Sequence, residues 1–315
     1  AAGFVPHGRT AAAALAAAFA GLLGYHLAAG TLDLQLGVSG RQLFDVLVMG
    51  RSSVLLSLFS ILAAAAAGGL YRFKKQGPAA AYGIAAAGLA VVSIAVAAYA
   101  GFWTGVDRNW TTPVFALSSA VLLIANLRIR RAALAWAASG FVLVALIHGL
   151  VWNTVVIENL TTLGVMPTRP WLAACLLHAT FGCATALGVW RREHPLAGGE
   201  DSPGEGLWHG FAKPLGISAL VTSAIAVPRT LWVSPETLAP HAVYAFWATA
   251  VWLGLAYLWQ SRWGFAAAQA LATIALGFIV TSICLRTDWW AGSYLDPWHL
   301  QTQMAAMAVW GMLWA

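Results

Sequence analysis

Two histidines stand out first, because their spacing sets them at one depth. His148 lies nine residues before the end of one apolar run, and His178 eight residues into the next. At about 1.5 Å per helical residue, both would sit ~11–14 Å below the same boundary. Paired imidazoles there could ligate a b-type haem or a metal, or hold a quinone headgroup, and an ionisable residue within an apolar layer is a functional hypothesis by default. The plainer reading is a neutral His bonded to a hydroxyl or carbonyl of a neighbouring helix. Cys175 shares a face with His178, but Cys183 falls about 140° away, so no three-ligand cluster is expected. Nothing in the sequence requires a cofactor.

Acids and bases recur among aromatics in the polar segments on that side. They include Asp33; Asp107, Arg108 and Trp110; Glu158 and Arg169; and Arg229, Glu236 and His241. The last group is RTDWWAGSYLDPWHLQTQ, with Arg286, Asp288, Asp296 and His299. A wet-rim ion pair contributes only about 0–1 kcal/mol, so each loop alone is weak. Together they would form an aromatic-walled polar surface able to contact a substrate or partner. For an enzyme, Asp33, Asp107 and Asp296 are the catalytic candidates.

These residues depend on helices to place them. Only 9% of the 315 residues are charged and mean hydropathy is +0.75, against about 25% charged in soluble domains. Apolar runs long enough to cross a bilayer recur, and the short alternating segments of a β-barrel are absent. The class is an all-α integral membrane protein. Ten spans are expected, near 10–30, 53–71, 79–103, 113–128, 132–157, 171–190, 212–233, 240–260, 263–285 and 297–315. The expected organisation is an N-terminal bundle over 1–190, a polar connector over 191–211 and a Trp-rich C-terminal bundle over 212–315. The chain lacks an initiator Met and stops in an apolar run, as a piece of something longer would.

One set of loops carries eleven of the seventeen basic residues and four of the eleven acids. Basic loops are retained in the cytoplasm, so both ends are expected there, in a bacterial cytoplasmic membrane. The net charge of +6 is then topological and does not indicate nucleic acid, which needs a clustered basic surface. The Trp residues gather near both expected boundaries, as in an aromatic belt; only Trp247, Trp252 and Trp310 fall mid-span.

Four expected helices have Pro in their first turn, at 113, 170, 240 and 297, where its missing N–H is harmless. Their spacing suggests tandem helical hairpins. In the first outer loop, Ser39 and Gln42 fit a capping box. The helix it opens would lie in the interface on a side made of Leu43, Phe44, Leu47 and Val48. Runs such as AAAYGIAAAGLA suggest close helix packing, which Gly88→Leu would disturb. No charged residue falls mid-span, which disfavours an ion-coupled pump.

WAGSYLDPWH resembles the outer Trp-rich loop of cytochrome c haem-handling proteins. Gly292, Ser293, Tyr294, Asp296 and Pro297 match in order. Leu295 stands where Trp would precede the Asp, and Trp298 and His299 replace Lys-Glu. The layout also resembles multi-pass glycosyltransferases that use lipid-linked sugars. That resemblance would make Asp33 the base and Asp107 a metal or substrate ligand, although the chain has no D-x-D motif. The expectation from the residues themselves is a non-catalytic complex subunit or carrier in contact with lipid and other membrane subunits. An outer-face glycosyltransferase-like enzyme and a haem- or quinone-binding redox subunit are the alternatives.

Overall fold

The computed structural model describes residues 5–32, 39–104, 108–152, 168–193, 205–287 and 295–314, and among these every regular element is helical. In chain order they are α1 (Val5–Ala28), α2 (Gly40–Leu47), α3 (Gly50–Arg72), α4 (Gln76–Tyr99), α5 (Thr111–Ile129), α6 (Ala132–Leu146), α7 (Thr168–Glu193), α8 (Lys213–Leu231), α9 (Leu238–Trp259), α10 (Arg262–Cys284) and α11 (Pro297–Trp314). Short π-helical turns extend α4 (Ala100–Thr104) and α6 (Ile147–Trp152), and another leads into α8 (Trp208–Ala212).

Nine helices among the described residues are long and apolar enough to cross a membrane. The tenth expected span does form a helix, α11, but it is not among them. Its first turns hold His299, Gln301, Thr302 and Gln303, which dilute the apolar run. Pro113, Pro170, Pro240 and Pro297 all fall within the first three residues of their helices.

The chain divides into two compact units: Ala1–Ile124 with Gly140–Ile157, and Ala125–Ser139 with Glu158–Ala315. In the first, α3 packs along α4, with α1 against both. Ala18, Leu22, Leu56 and Leu89 form one buried cluster there. Ala97, Val114, Phe115 and Ala145 form another. Hydroxyls cross the α3–α4 contact: Ser57 Oγ lies 2.6 Å from Ser93 Oγ, Ser93 donates to the Ser53 carbonyl, and Ser60 donates to the Ala86 carbonyl.

Gly88 does not serve this contact. The buried stripe of α4 is Ala81, Ala85, Leu89, Ser93 and Ala97, and a Cβ on Gly88 would meet nothing within 4 Å. The expectation that Gly88→Leu disturbs internal packing is therefore corrected, because Gly88 lies off the stripe.

In the second unit α7 packs against α8 and α9, and α9 against α10. Its core includes Leu172, Cys175, Leu176, Ala226, Ala245, Ala248, Leu271 and Ala275. Glycine permits close approach here: a Cβ on Gly182 would lie 2.8 Å from the Leu215 carbonyl oxygen, and one on Gly254 would lie 2.7 Å from Cys183 Sγ. The segment 208–231 has 61% of its apolar window buried, against 22% for the spans starting at Gly8, Gly50 and Thr111. The second unit thus buries its helices more completely.

The α3–α4, α5–α6 and α9–α10 turns each reverse through one non-glycine residue of positive φ: Lys74 (62°), Arg130 (57°) and Gln260 (50°). At Lys74 and Gln260 the following N–H reaches back to Leu70 and Ala256, closing a Schellman motif. The turn after α5 uses a side chain instead. Arg130 N–H bonds the Asn126 carbonyl and Arg131 N–H bonds Asn126 Oδ1.

Candidate functional site

His148 sits in the first unit on the π-helical turn that closes α6, and it is fully buried. Its Nδ1 is 2.9 Å from Thr112 Oγ1, and Phe102 meets its ring edge-on with centroids 5.1 Å apart. The two π-helical turns converge here. A Cβ on Gly101 would collide with Thr111 and come within 2.8 Å of His148 Nε2. Only glycine fits that close approach.

His178 sits in the second unit with both ring nitrogens engaged. Nδ1 is 3.0 Å from Thr222 Oγ1, and Nε2 is 2.9 Å from Ser139 Oγ and 3.0 Å from the Ser139 carbonyl oxygen. Ser139 Oγ also lies 2.6 Å from Ser218 Oγ. Thr222 Oγ1 also lies 3.0 Å from the Ser218 carbonyl oxygen. To ligate an iron or another metal, His178 would have to release one of these bonds. The two histidines therefore belong to different units, each with partners inside its own. Among the described residues no group of three His, Cys, Asp or Glu side chains could hold a metal ion. Cys183 Sγ instead faces the Val251 carbonyl at 3.7 Å.

Of the three carboxylates considered catalytic, Asp33 and Asp107 lie outside the described residues. Asp296 is half-buried, and its Oδ1 accepts the Trp298 N–H at 2.8 Å. It thereby caps α11 ahead of Pro297. Glu158, Arg169 (side chain) and Asp288 also fall outside the description, as do the side chains of Arg108 and Glu236. Arg229 and Arg286 are exposed, and Trp110 is half-exposed on a single 3-10 turn.

The two remaining candidate histidines, His241 and His299, are buried and tie helices together. His241 Nδ1 donates to the Thr230 carbonyl at 3.0 Å. His299 Nε2 is 3.1 Å from Thr281 Oγ1, beside Gln303, whose amide donates to Gly277 and Thr281. His26, earlier in the chain, links Thr31 and Ser52 at 2.8 Å each.

The helix after the Ser39–Gln42 capping box is present. Its most buried side chain is Val46, however, and Phe44 is 56% exposed. Leu47 packs with the α1–α3–α4 cluster.

Sequence reasoning missed Asn126. This residue is fully buried, and its Nδ2 donates to the Gly210 carbonyl at 2.8 Å. Pro214, four residues beyond Gly210, has no N–H to offer that carbonyl, and a polar amide in an otherwise apolar segment was the available signal. The three mid-span Trp also have partners. Their indole N–H groups donate to Thr180 (from Trp247), Ser223 (from Trp252) and Thr273 (from Trp310) on neighbouring helices, so each half-buried indole satisfies its polar edge.

The arrangement is thus rich in hydroxyl–imidazole and hydroxyl–indole bonds between helices, and no Asp, Glu, Lys or Arg is buried among the described residues. No protein-family model matches the chain, and neither a curated protein nor a solved structure matches it.

Proposed function

We propose that the chain is a non-catalytic, multi-pass subunit of a membrane complex, built from tandem helical hairpins. In this reading the basic loops and the N-terminus face the cytoplasm of a bacterial cell. Helix α2 lies in the outer interface, and exposed Trp103, Trp110, Trp232 and Trp298 form part of an outer aromatic belt. The outer loops offer a polar, aromatic surface to a partner.

The open glycines of α3 and α4 carry the proposal. In the second unit Gly182, Gly216 and Gly254 meet neighbouring helices. In the first unit Gly68, Gly69, Gly83 and Gly88 would each admit a Cβ with nothing within 4 Å. Lipid tails gain little from such small residues, whereas an approaching helix gains close backbone contact. Open glycines on two adjacent spans fit a partner helix.

The test is Gly68→Leu combined with Gly88→Leu in the full chain, purified from its own membranes in mild detergent. Light scattering of the unaltered chain should give a mass above that of one copy. The double variant should melt no lower than the unaltered chain yet run as a single chain. A single-chain mass for the unaltered protein, or a complex that survives the double variant, overturns the reading. So does a Soret band that shifts on reduction and vanishes in His178→Ala.

A further inference from the structure

The first unit holds a cavity of about 100 Å³ between α3, α4, α5 and α6, partly open to its surroundings. It lies close to mid-helix, since Ser57 and Ser60 come seven and ten residues after the Gly50 start of α3, roughly 10–15 Å along a 34 Å helix. Its polar lining consists of Ser57, Ser60 and Ser118, and the rest is apolar, including Ala90, Ile94 and Phe141.

The protons of these three hydroxyls can be traced. Ser93 donates to the Ser53 carbonyl at 2.6 Å, so in the 2.6 Å contact between Ser57 and Ser93 the donor is Ser57. Ser60 donates to the Ala86 carbonyl and Ser118 to the Val114 carbonyl, each at 2.8 Å. A hydroxyl has one proton and two lone pairs. All three protons are therefore committed to helix backbone or to another serine, and what remains toward the cavity is acceptor capacity.

Such a lining discriminates by hydrogen-bond polarity. A guest with only a carbonyl or ether oxygen finds no donor and leaves that oxygen desolvated, which is unfavourable in an apolar site. A guest that donates one hydrogen bond from an apolar body is satisfied. A charged guest would bring an unpaired ion into the layer. The volume sets the scale: a dry cavity of about 150 Å³ holds one benzene, so this one takes a single ring or chain end, the remainder extending outward.

We propose that this cavity binds a neutral, membrane-soluble alcohol or phenol, whose hydroxyl donates to the serine oxygens while its apolar body lies against Phe141 and Ile94. This site is independent of the partner-helix reading above.

Fluorine NMR of the full chain in lipid nanodiscs tests it, with para-fluorophenol and its isostere para-fluorotoluene as probes and empty nanodiscs as the partition control. The phenol should bind saturably, about tenfold tighter than the toluene, the difference expected of a hydrogen bond worth about 1.4 kcal/mol. Ser118→Ala should weaken the phenol about fivefold and leave the toluene unchanged. Ala90→Leu, which fills the cavity, should abolish saturable binding. Uptake no different from empty discs, equal affinity for phenol and toluene, or unchanged binding in Ala90→Leu overturns the proposal. The phenol–toluene comparison uses the unaltered chain, so it decides the matter even if the filled variant does not fold.

Discussion

Replacing Asn126 by Ala should be among the more damaging single changes to a polar residue in this chain. Its amide makes two hydrogen bonds, Nδ2 to the Gly210 carbonyl at 2.8 Å and Oδ1 from Arg131 N–H at 2.7 Å. The two losses differ in kind. Arg131 is exposed, so its N–H regains water and only a net bond is lost, about 0.5–1.5 kcal/mol. The Gly210 carbonyl belongs to a buried residue whose α-helical donor would have been Pro214. Removing the amide leaves it unsatisfied, at about 1–3 kcal/mol. The sum is roughly 1.5–4.5 kcal/mol, read as a shift in equilibrium unfolding in mixed micelles titrated with dodecyl sulfate and followed by Trp fluorescence. Asn126→Asp sharpens the test. It retains an acceptor for Arg131 but sets a carboxylate oxygen against a carbonyl, so it should be no better than Ala. A loss below about 0.5 kcal/mol in Asn126→Ala, or rescue by Asp, refutes the reasoning.

Other changes follow from the same geometry. His178→Phe should reduce stability by only about 0.6–1.7 kcal/mol, the range of interhelical hydrogen bonds in membranes. The reason is that Ser139 and Thr222 keep other partners in Ser218; dodecyl sulfate unfolding measures it. Gly182→Ala should lower stability by about 1–3 kcal/mol through overpacking against Leu215, whereas Gly88→Ala should raise it by roughly 0.5–1 kcal/mol; a paired thermal melt compares them. Lys74→Gly should raise the melting temperature, because it relieves a left-handed non-glycine residue at about 1 kcal/mol. Asp296→Ala should speed amide exchange in the first turn of α11 and remove about 1 kcal/mol, with Asp296→Asn restoring both. A catalytic carboxylate would not be restored by Asn.

The spans were legible because hydropathy accumulates along the sequence and needs no partner. The Ser39–Gln42 capping box and the first-turn prolines were legible for the same reason, being contacts or absences within three or four residues. The segment at 297–315 does form a helix, but His299, Gln301 and Gln303 lower its hydropathy, so it is not among the nine described helices apolar enough to cross a membrane. Partners far apart in sequence were not legible. Nothing near Asn126 announces Gly210, and nothing near Ser57 announces Ser93. Gly88 shows the same limit from the other side: a small residue in an Ala-rich helix reads as a packing device, yet only the stripe through Ala81, Ala85, Leu89, Ser93 and Ala97 decides which face is turned inward. The histidines were legible as buried positions within apolar runs, but the hydroxyls that take up His178 were not, because they come from α6 and α8, on either side of it in sequence.

The Asn126–Gly210 bond also sets a clock on biogenesis. The two residues are 84 positions apart, so at roughly 5–20 residues per second of synthesis the amide waits on the order of 4–17 seconds for its partner to be made. Throughout that interval the turn after α5 must remain hydrated, since an unpaired amide is poorly tolerated in hydrocarbon. Arg128, Arg130 and Arg131 around it favour water during the wait, since charged side chains are costly in hydrocarbon. Locking of this turn is therefore a late event, completed only when the ribosome has passed Gly210.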